Sequence, residues 1–145
     1  MESAVRPLLG LDSDTFYIYH VGAGYADHVF IITSGENMSI YAAANIAMAI
    51  ENFKGRGYAA LGGLILNHRN VENELEKVQE LCGDIHTDIT AELSFSQTVQ
   101  KAEALRQTVL EAFPDSEMAA QYRALANAVY TRCTHKDLYK EDSIC

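Results

Sequence analysis

The run His28-Val29-Phe30-Ile31-Ile32-Thr33 passes through Ser34-Gly35-Glu36 into Asn37-Met38-Ser39-Ile40-Tyr41-Ala42-Ala43-Ala44-Asn45-Ile46. A compact apolar run of this length suits a strand buried on both faces. The residues after it read as a helix from about Gly35 to Phe53, with Thr33 and Glu36 spaced to close a capping box at its start. Its alanines, Ala42, Ala43, Ala44, Ala47 and Ala49, leave little side chain, so that another element can approach the helix axis closely. Gly55-Arg56-Gly57 stops the helix, because glycine tolerates the left-handed conformation that ends one. Leu61 to Leu66 supplies a second strand. Strand, helix and strand in this order imply a parallel sheet joined by right-handed crossovers, so the fold class is α/β, a partial parallel sheet with flanking helices.

Downstream the alternation continues. Asn70 is placed to cap a helix whose positions Val71, Leu75, Val78 and Leu81 fall on one apolar face, with Glu72, Glu74, Glu76 and Glu80 turned outward. Gly83 ends that helix, and Ile85 to Ile89 fits a third, weaker strand. Two more helices are expected, one holding Val99, Ala102, Leu105 and Val109 on one side, the other Tyr122, Leu125, Ala126 and Val129. Pro114-Asp115-Ser116 separates them. Upstream, residues 1–24 differ in composition and read as a divergent, poorly ordered segment with a short β-rich run, Phe16 to Val21. The expected division is therefore 1–24, an α/β domain over 25–133, and a polar tail over 134–145.

The whole chain, 145 residues with 48% hydrophobic composition, is the size of one domain. No apolar run approaches the roughly 20 residues that span a bilayer, and Met1-Glu2-Ser3-Ala4-Val5-Arg6-Pro7 lacks the order of a signal peptide. The expectation is a cytoplasmic protein with no membrane partner. A net charge of -9, with cations scattered along the chain, disfavours nucleic acid as a partner. Cys82, Cys133 and Cys145 form no CxxC pair and read as free thiols. The five histidines, His20, His28, His68, His86 and His135, show no metal-binding spacing and no partnered carboxylate motif; no metal ligand and no catalytic residue is assigned.

A parallel sheet binds ligands beyond the carboxyl ends of its strands, here at Thr33-Ser34-Gly35 and Asn67-His68-Arg69-Asn70. The Asn67 amide, with donors and an acceptor, suits the edge of a purine ring and equally suits a turn. Both readings stay open on the residues alone.

The segments Ile32 to Ile46 and Leu61-Gly62-Gly63-Leu64-Ile65-Leu66-Asn67-His68-Arg69-Asn70 resemble the second half of the nitrogenase iron protein family, a group that includes the ATP-binding subunit of light-independent protochlorophyllide reductase. The resemblance runs from about Tyr25 to Cys133. It implies the carboxyl-terminal half of a P-loop NTPase-like fold and descent from ATP-dependent [4Fe-4S] electron donors. In the family the asparagine of an Asn-Ser-Arg-Asn sequence lies against adenine, and Asn67-His68-Arg69-Asn70 keeps three of the four. Leu93-Ser94-Phe95-Ser96-Gln97-Thr98-Val99-Gln100-Lys101-Ala102-Glu103 is similar to the family's Val-Pro-Arg-Asp-Asn-x-Val-Gln-Arg-Ala-Glu, with serines in place of the proline and aspartate. The resemblance thus marks Asn67, Gln100, Glu103 and Tyr122 as cofactor-binding positions for ATP or ADP.

Two parts of the family pattern have no counterpart. Gly22-Ala23-Gly24 is too short for a phosphate loop and no Lys-Ser or Lys-Thr follows it. The [4Fe-4S] cluster of the family uses two cysteines from each of two subunits, and no cysteine stands in the region upstream of Gly24-Tyr25-Ala26-Asp27. The expected function is a truncated or degenerate iron-protein-like chain, inactive alone as an ATP-dependent oxidoreductase component. The alternatives are a non-catalytic interaction or nucleotide-binding module, and a gene fragment without independent function. An interaction module would work through an exposed sheet edge, with a second copy or a nitrogenase-like component as partner.

Overall fold

The computed structural model describes residues 27–53 and 59–141. The expectations for residues 1–24, for the strand within Phe16 to Val21, for the helix stop at Gly55-Arg56-Gly57 and for Cys145 lie outside the described residues.

The sheet is parallel and three-stranded, with β1 (His28–Thr33), β2 (Ala60–Asn67) and β3 (Ile89–Leu93) side by side in chain order. Helix α1 (Asn37–Phe53) connects β1 to β2, and α2 (Glu74–Asp84) connects β2 to β3. After β3 come α3 (Gln97–Ala104), the short α4 (Val109–Ala112) and α5 (Glu117–Glu141), which continues into the stretch expected as a tail.

Alternation along the central strand builds two cores, because successive side chains of a strand point to opposite faces. Leu64 and Leu66 join Ile31, Ala43, Ala47, Val78, Leu81 and Cys82 under α1 and α2. Ile65 joins Leu93, Ala102, Val109, Met118 and Ala119 under α3, α4 and α5. β2 is thus covered on both faces, which explains its unbroken apolar run. The two alanines of α1 that serve close packing are Ala43 and Ala47, one turn apart. The outer side of the same helix carries exposed Met38, Tyr41, Ile46 and Met48.

A register shift between Val29 and Phe30 passes over Gly62, and the Phe30 ring fills the space a side chain there would occupy. Gly63 is next, with a φ of 147°, and a Cβ on it would collide with the Thr90 hydroxyl. Glycine is required at both positions by close approach, and at Gly63 also by its backbone.

Several expected boundaries are corrected. α1 begins at Asn37, and no Thr33–Glu36 capping box forms: the Thr33 hydroxyl pairs with Ser39 Oγ at 3.2 Å, while Glu36 accepts from the Ser34 hydroxyl at 3.1 Å. Asn70 does not cap α2; it takes a left-handed turn (φ 60°), which asparagine tolerates, and Asn73 stands at the N-cap. Gly83 lies within the last turn of α2, and His86 makes the left-handed exit instead. That exit consumes Ile85 to Asp88, so β3 starts at Ile89 and the third strand is Ile89–Leu93. Leu75, expected in the core, is exposed. The single helix expected through Val109 is broken by a left-handed Arg106, leaving Leu105 exposed and giving α4 its own Thr108–Glu111 capping box. Three helices therefore come after β3 where two were expected. Among the described residues no helix is long and apolar enough to cross a membrane.

Candidate functional site

The carboxyl ends of the three strands meet around one buried carboxylate. Glu74 is the first residue of α2 and only 5% exposed, contrary to the expectation that it turns outward with Glu72, Glu76 and Glu80. Its Oε1 accepts the Gly35 amide at 2.8 Å and the Arg69 amide at 3.0 Å. Its Oε2 accepts the Arg69 amide at 3.1 Å and faces His68 Nδ1 at 3.0 Å. One side chain thus gathers the turn after β1, the turn after β2 and the start of α2, where the helix dipole also favours negative charge. Gly35 is pressed against it: a Cβ there would lie 2.5–2.7 Å from Glu74 Cγ, Cα and Cβ.

The strand period carries His68 to the third member. His68 is two residues beyond Leu66 and so sits over the same face as Leu66, and Leu66 is paired in register with Glu92 of β3. The other imidazole nitrogen, Nε2, is 2.9 Å from Glu92 Oε2. The His68 amide extends the ladder by donating to the Leu93 carbonyl at 2.8 Å. The expectation that no histidine has a carboxylate partner is corrected: His68 bridges two.

Charge balance is set by these contacts. Burial by itself would push the Glu74 carboxyl up, but the amides of Gly35 and Arg69 and the His68 ring together hold it below its ordinary 4.5. Burial works against the His68 imidazolium too, and is outweighed by Glu92 and Glu74, which hold the ring above its ordinary 6.5. A carboxyl with a lowered pKa stabilises the fold above its unfolded value and loses that contribution as pH falls through the folded one. A histidine with a raised pKa stabilises below its unfolded value and loses that contribution as pH rises through the folded one. The pair is therefore expected to contribute fully between about pH 4.5 and pH 6.5 and to weaken on both sides. Denaturant unfolding from pH 3.5 to 8.5 should show both limbs, and H68Q should lose the alkaline limb while keeping the acid one.

The four positions marked by the family resemblance lie at the end of β2 and on the helices that cover the other face of the sheet. Asn67 is exposed at the end of β2, one residue before His68 and opposite Leu93. Gln100 and Glu103 are exposed on α3, and Tyr122 on α5 packs half-buried against the second core. α5 is drawn to the same end of the sheet by Gln121, which accepts the Ser94 amide at 2.8 Å and donates to the Ser94 hydroxyl at 2.9 Å. Among the described residues no hydrogen bond joins the four side chains to one another. Two open grooves lie elsewhere: one of about 490 Å³ is lined by Thr90, Asn127, Thr131 and Arg132, and one of about 430 Å³ runs between α1 and α2. What sequence reasoning missed is the set Glu74, His68 and Glu92. The signal available for it was the one acid interrupting the apolar strand β3 in register with the β2 end.

Cys82 is buried among Val78 and Leu81, where burial, followed by the nearby Asp88, pushes the thiol up; burial, with Asp27, does the same at Cys133. Both are free. An iron–sulfur cluster takes a set of converging thiolates, and Cys82 on α2 and Cys133 on α5 belong to no such set among the described residues. No group of three or more His, Cys, Asp or Glu suited to a metal ion occurs among the described residues.

Residues 17–139 match the model of the 4Fe-4S iron sulfur cluster binding proteins, NifH/frxC family. The chain is 44% identical over 106 residues to nitrogenase iron protein 2 of Methanothermobacter thermautotrophicus, a match covering 73% of this chain and 38% of that protein. It is 40% identical over 105 residues to the nitrogenase iron protein of Methanococcus voltae, covering 72% and 38% respectively. The chain thus spans under two-fifths of the length of these relatives. Among solved structures, the cell division ATPase MinD of Pyrococcus furiosus superposes with a TM-score of 0.60 at 14% identity, covering 74% of this chain and 44% of that one, a likeness of fold.

Proposed function

The chain belongs to the NifH/frxC family of 4Fe-4S iron sulfur cluster binding proteins, and from that premise we propose that it carries the base-side part of an adenine-nucleotide site. The observation that supports this most is the placement of Asn67: exposed, at the carboxyl end of the central strand, in a turn whose backbone is tied down by Glu74. Its amide offers both a donor and an acceptor to the purine edge, with Gln100, Glu103 and Tyr122 bordering the nucleoside. Residues 25–133 form the α/β unit in this reading, and the setting is cytoplasmic.

On the same reading the 145 residues neither hydrolyse ATP nor hold a cluster by themselves. Triphosphate cleavage needs a glycine-rich loop and a lysine on the β and γ phosphates, and no such loop followed by Lys-Ser or Lys-Thr occurs in the chain. These residues then correspond to the base-side part of a relative of an ATP-dependent electron donor. Calorimetric titration with ADP tests the nucleotide reading. N67A should weaken ADP binding by about five- to tenfold, the worth of one net hydrogen bond, while the midpoint of thermal unfolding stays put because the side chain is exposed. An N67A chain that unfolds instead favours the turn role.

A second reading, a non-catalytic interaction module, is supported by a different observation. Among the described residues β1 pairs only with β2, and α1 beside it exposes Met38 at 79% and Tyr41 at 66%. The partner would be a second copy or a nitrogenase-like component. Light scattering on the purified chain separates the two, since a strict monomer removes the self-association form.

A further inference from the structure

His68 stands between two carboxylates with both ring nitrogens engaged, Nδ1 at 3.0 Å from Glu74 and Nε2 at 2.9 Å from Glu92. A neutral imidazole has one N–H and can donate to one of them, turning a lone pair toward the other; only the imidazolium donates to both. The proton is therefore a structural part of the bridge. It joins Glu74, on the first turn of α2, to Glu92, on the edge strand β3, through the turn that begins with Asn67. We infer that the proton on His68 is a switch that closes the turn from Asn67 to Asn70 against the sheet end and, resting on the nucleotide reading above, raises the affinity for an adenine nucleotide.

The surroundings support this direction. The charged groups that face the ring among the described residues are Glu74 from α2 and Glu92 from β3, both acidic. From the β1–α1 turn the approaching group is the Gly35 amide, which reaches the ring only through Glu74, and Glu36 is engaged with the Ser34 hydroxyl. The neighbouring Arg69 is fixed by its amide to both oxygens of Glu74. When the ring loses its proton, Glu74 keeps its two backbone amides, whereas Glu92 on the edge strand loses its charged partner. The contact that opens is therefore His68–Glu92, on the half-exposed side, and the turn is then held at one end only. Asn67, one residue away, loses the fixed backbone that aims its amide.

Two measurements on the full chain test this. In the nucleotide-free protein, the His68 ring and the amides of Asn67, His68, Arg69 and Asn70 are followed by NMR from pH 5 to 9. The amides should titrate with the midpoint of the ring, and E92Q should lower that midpoint. ADP affinity is then measured over the same range in wild type and in H68Q, which keeps a donor but cannot take a charge. The ADP phosphate titrates equally in both, so the difference is the readout. Wild type should lose about three- to tenfold relative to H68Q between pH 5.5 and 8.5, within the limit of one linked proton. Turn amides that ignore the ring, with ADP still bound, overturn the switch. ADP binding absent at every pH, with ring and turn still titrating together, overturns the nucleotide reading and leaves the switch standing.

Discussion

Glu74→Ala is expected to lower stability by about 3–5 kcal/mol, a fall of roughly 10–15 °C in Tm for a chain of this size. The magnitude comes from what is left behind. The Gly35 amide loses its acceptor in a buried place, at a cost of about 1–3 kcal/mol, the part-buried Arg69 amide loses its own at a smaller cost, and His68 loses one of its two carboxylates. Glu72→Ala and Glu76→Ala, one on the approach to the helix and one on its first turn, are the controls: both side chains are exposed and should stay within about 0.5 kcal/mol of wild type. Glu74→Gln separates charge from hydrogen bonding. Its carbonyl oxygen can take the Oε1 place and keep both amides, while its NH2 faces His68 Nδ1, so most of the stability should survive and the acid limb of the pH profile should vanish. Thermal unfolding of the four variants checks the ranking. An E74A chain as stable as E72A would mean that the buried carboxylate is not what ties the three turns together.

The second large effect is expected at Gly63→Ala, about 3 kcal/mol or more. Two causes add: a φ of 147° that an L side chain rarely adopts, and a Cβ driven into the Thr90 hydroxyl from the neighbouring strand. They can be separated, because Thr90 Oγ1 is buried without a hydrogen-bond partner, so Thr90→Ala by itself should cost little. The double variant G63A/T90A removes the collision and leaves the backbone strain. Recovery of part of the loss, measured in a double-mutant cycle by denaturant unfolding, is the expected outcome. Full additivity of the two single changes would show that the hydroxyl is not the obstacle.

Strands β1 and β2 both appear where their apolar runs place them, β2 one residue longer at each end, but the expectation of burial on both faces holds for β2 alone: Ile32 of β1 is 64% exposed. Pro114-Asp115-Ser116 was legible as a helix separator from local chemistry, and the Ser116 hydroxyl accepts the Ala119 amide at the start of α5. What escaped depended on partners distant in the chain. Glu74 looks like any acid on a solvent-facing helix, and only the approach of Gly35, 39 residues earlier, turns it inward. β3 was placed too early because Ile85 and Ile89 are both apolar, and nothing local says that His86 takes the left-handed turn between them. Arg106 broke an expected helix in the same way. Of the candidate site, the position of Asn67 at the end of β2 was legible because the strand itself was, whereas the His68 bridge needed the β2–β3 register, which spacing along one strand does not contain.

Because the three strands among the described residues lie in the sheet in the order in which they occur in the chain, none of them has to be threaded between two already paired. On the ribosome each new strand can be added at the outer edge as it emerges, β2 onto β1 and then β3 onto β2, with only neighbouring crossovers to close. Once Glu74 has cleared the exit tunnel the nascent chain can close the clamp on Gly35 and Arg69, and the later release of Glu92 would fasten the histidine clasp last.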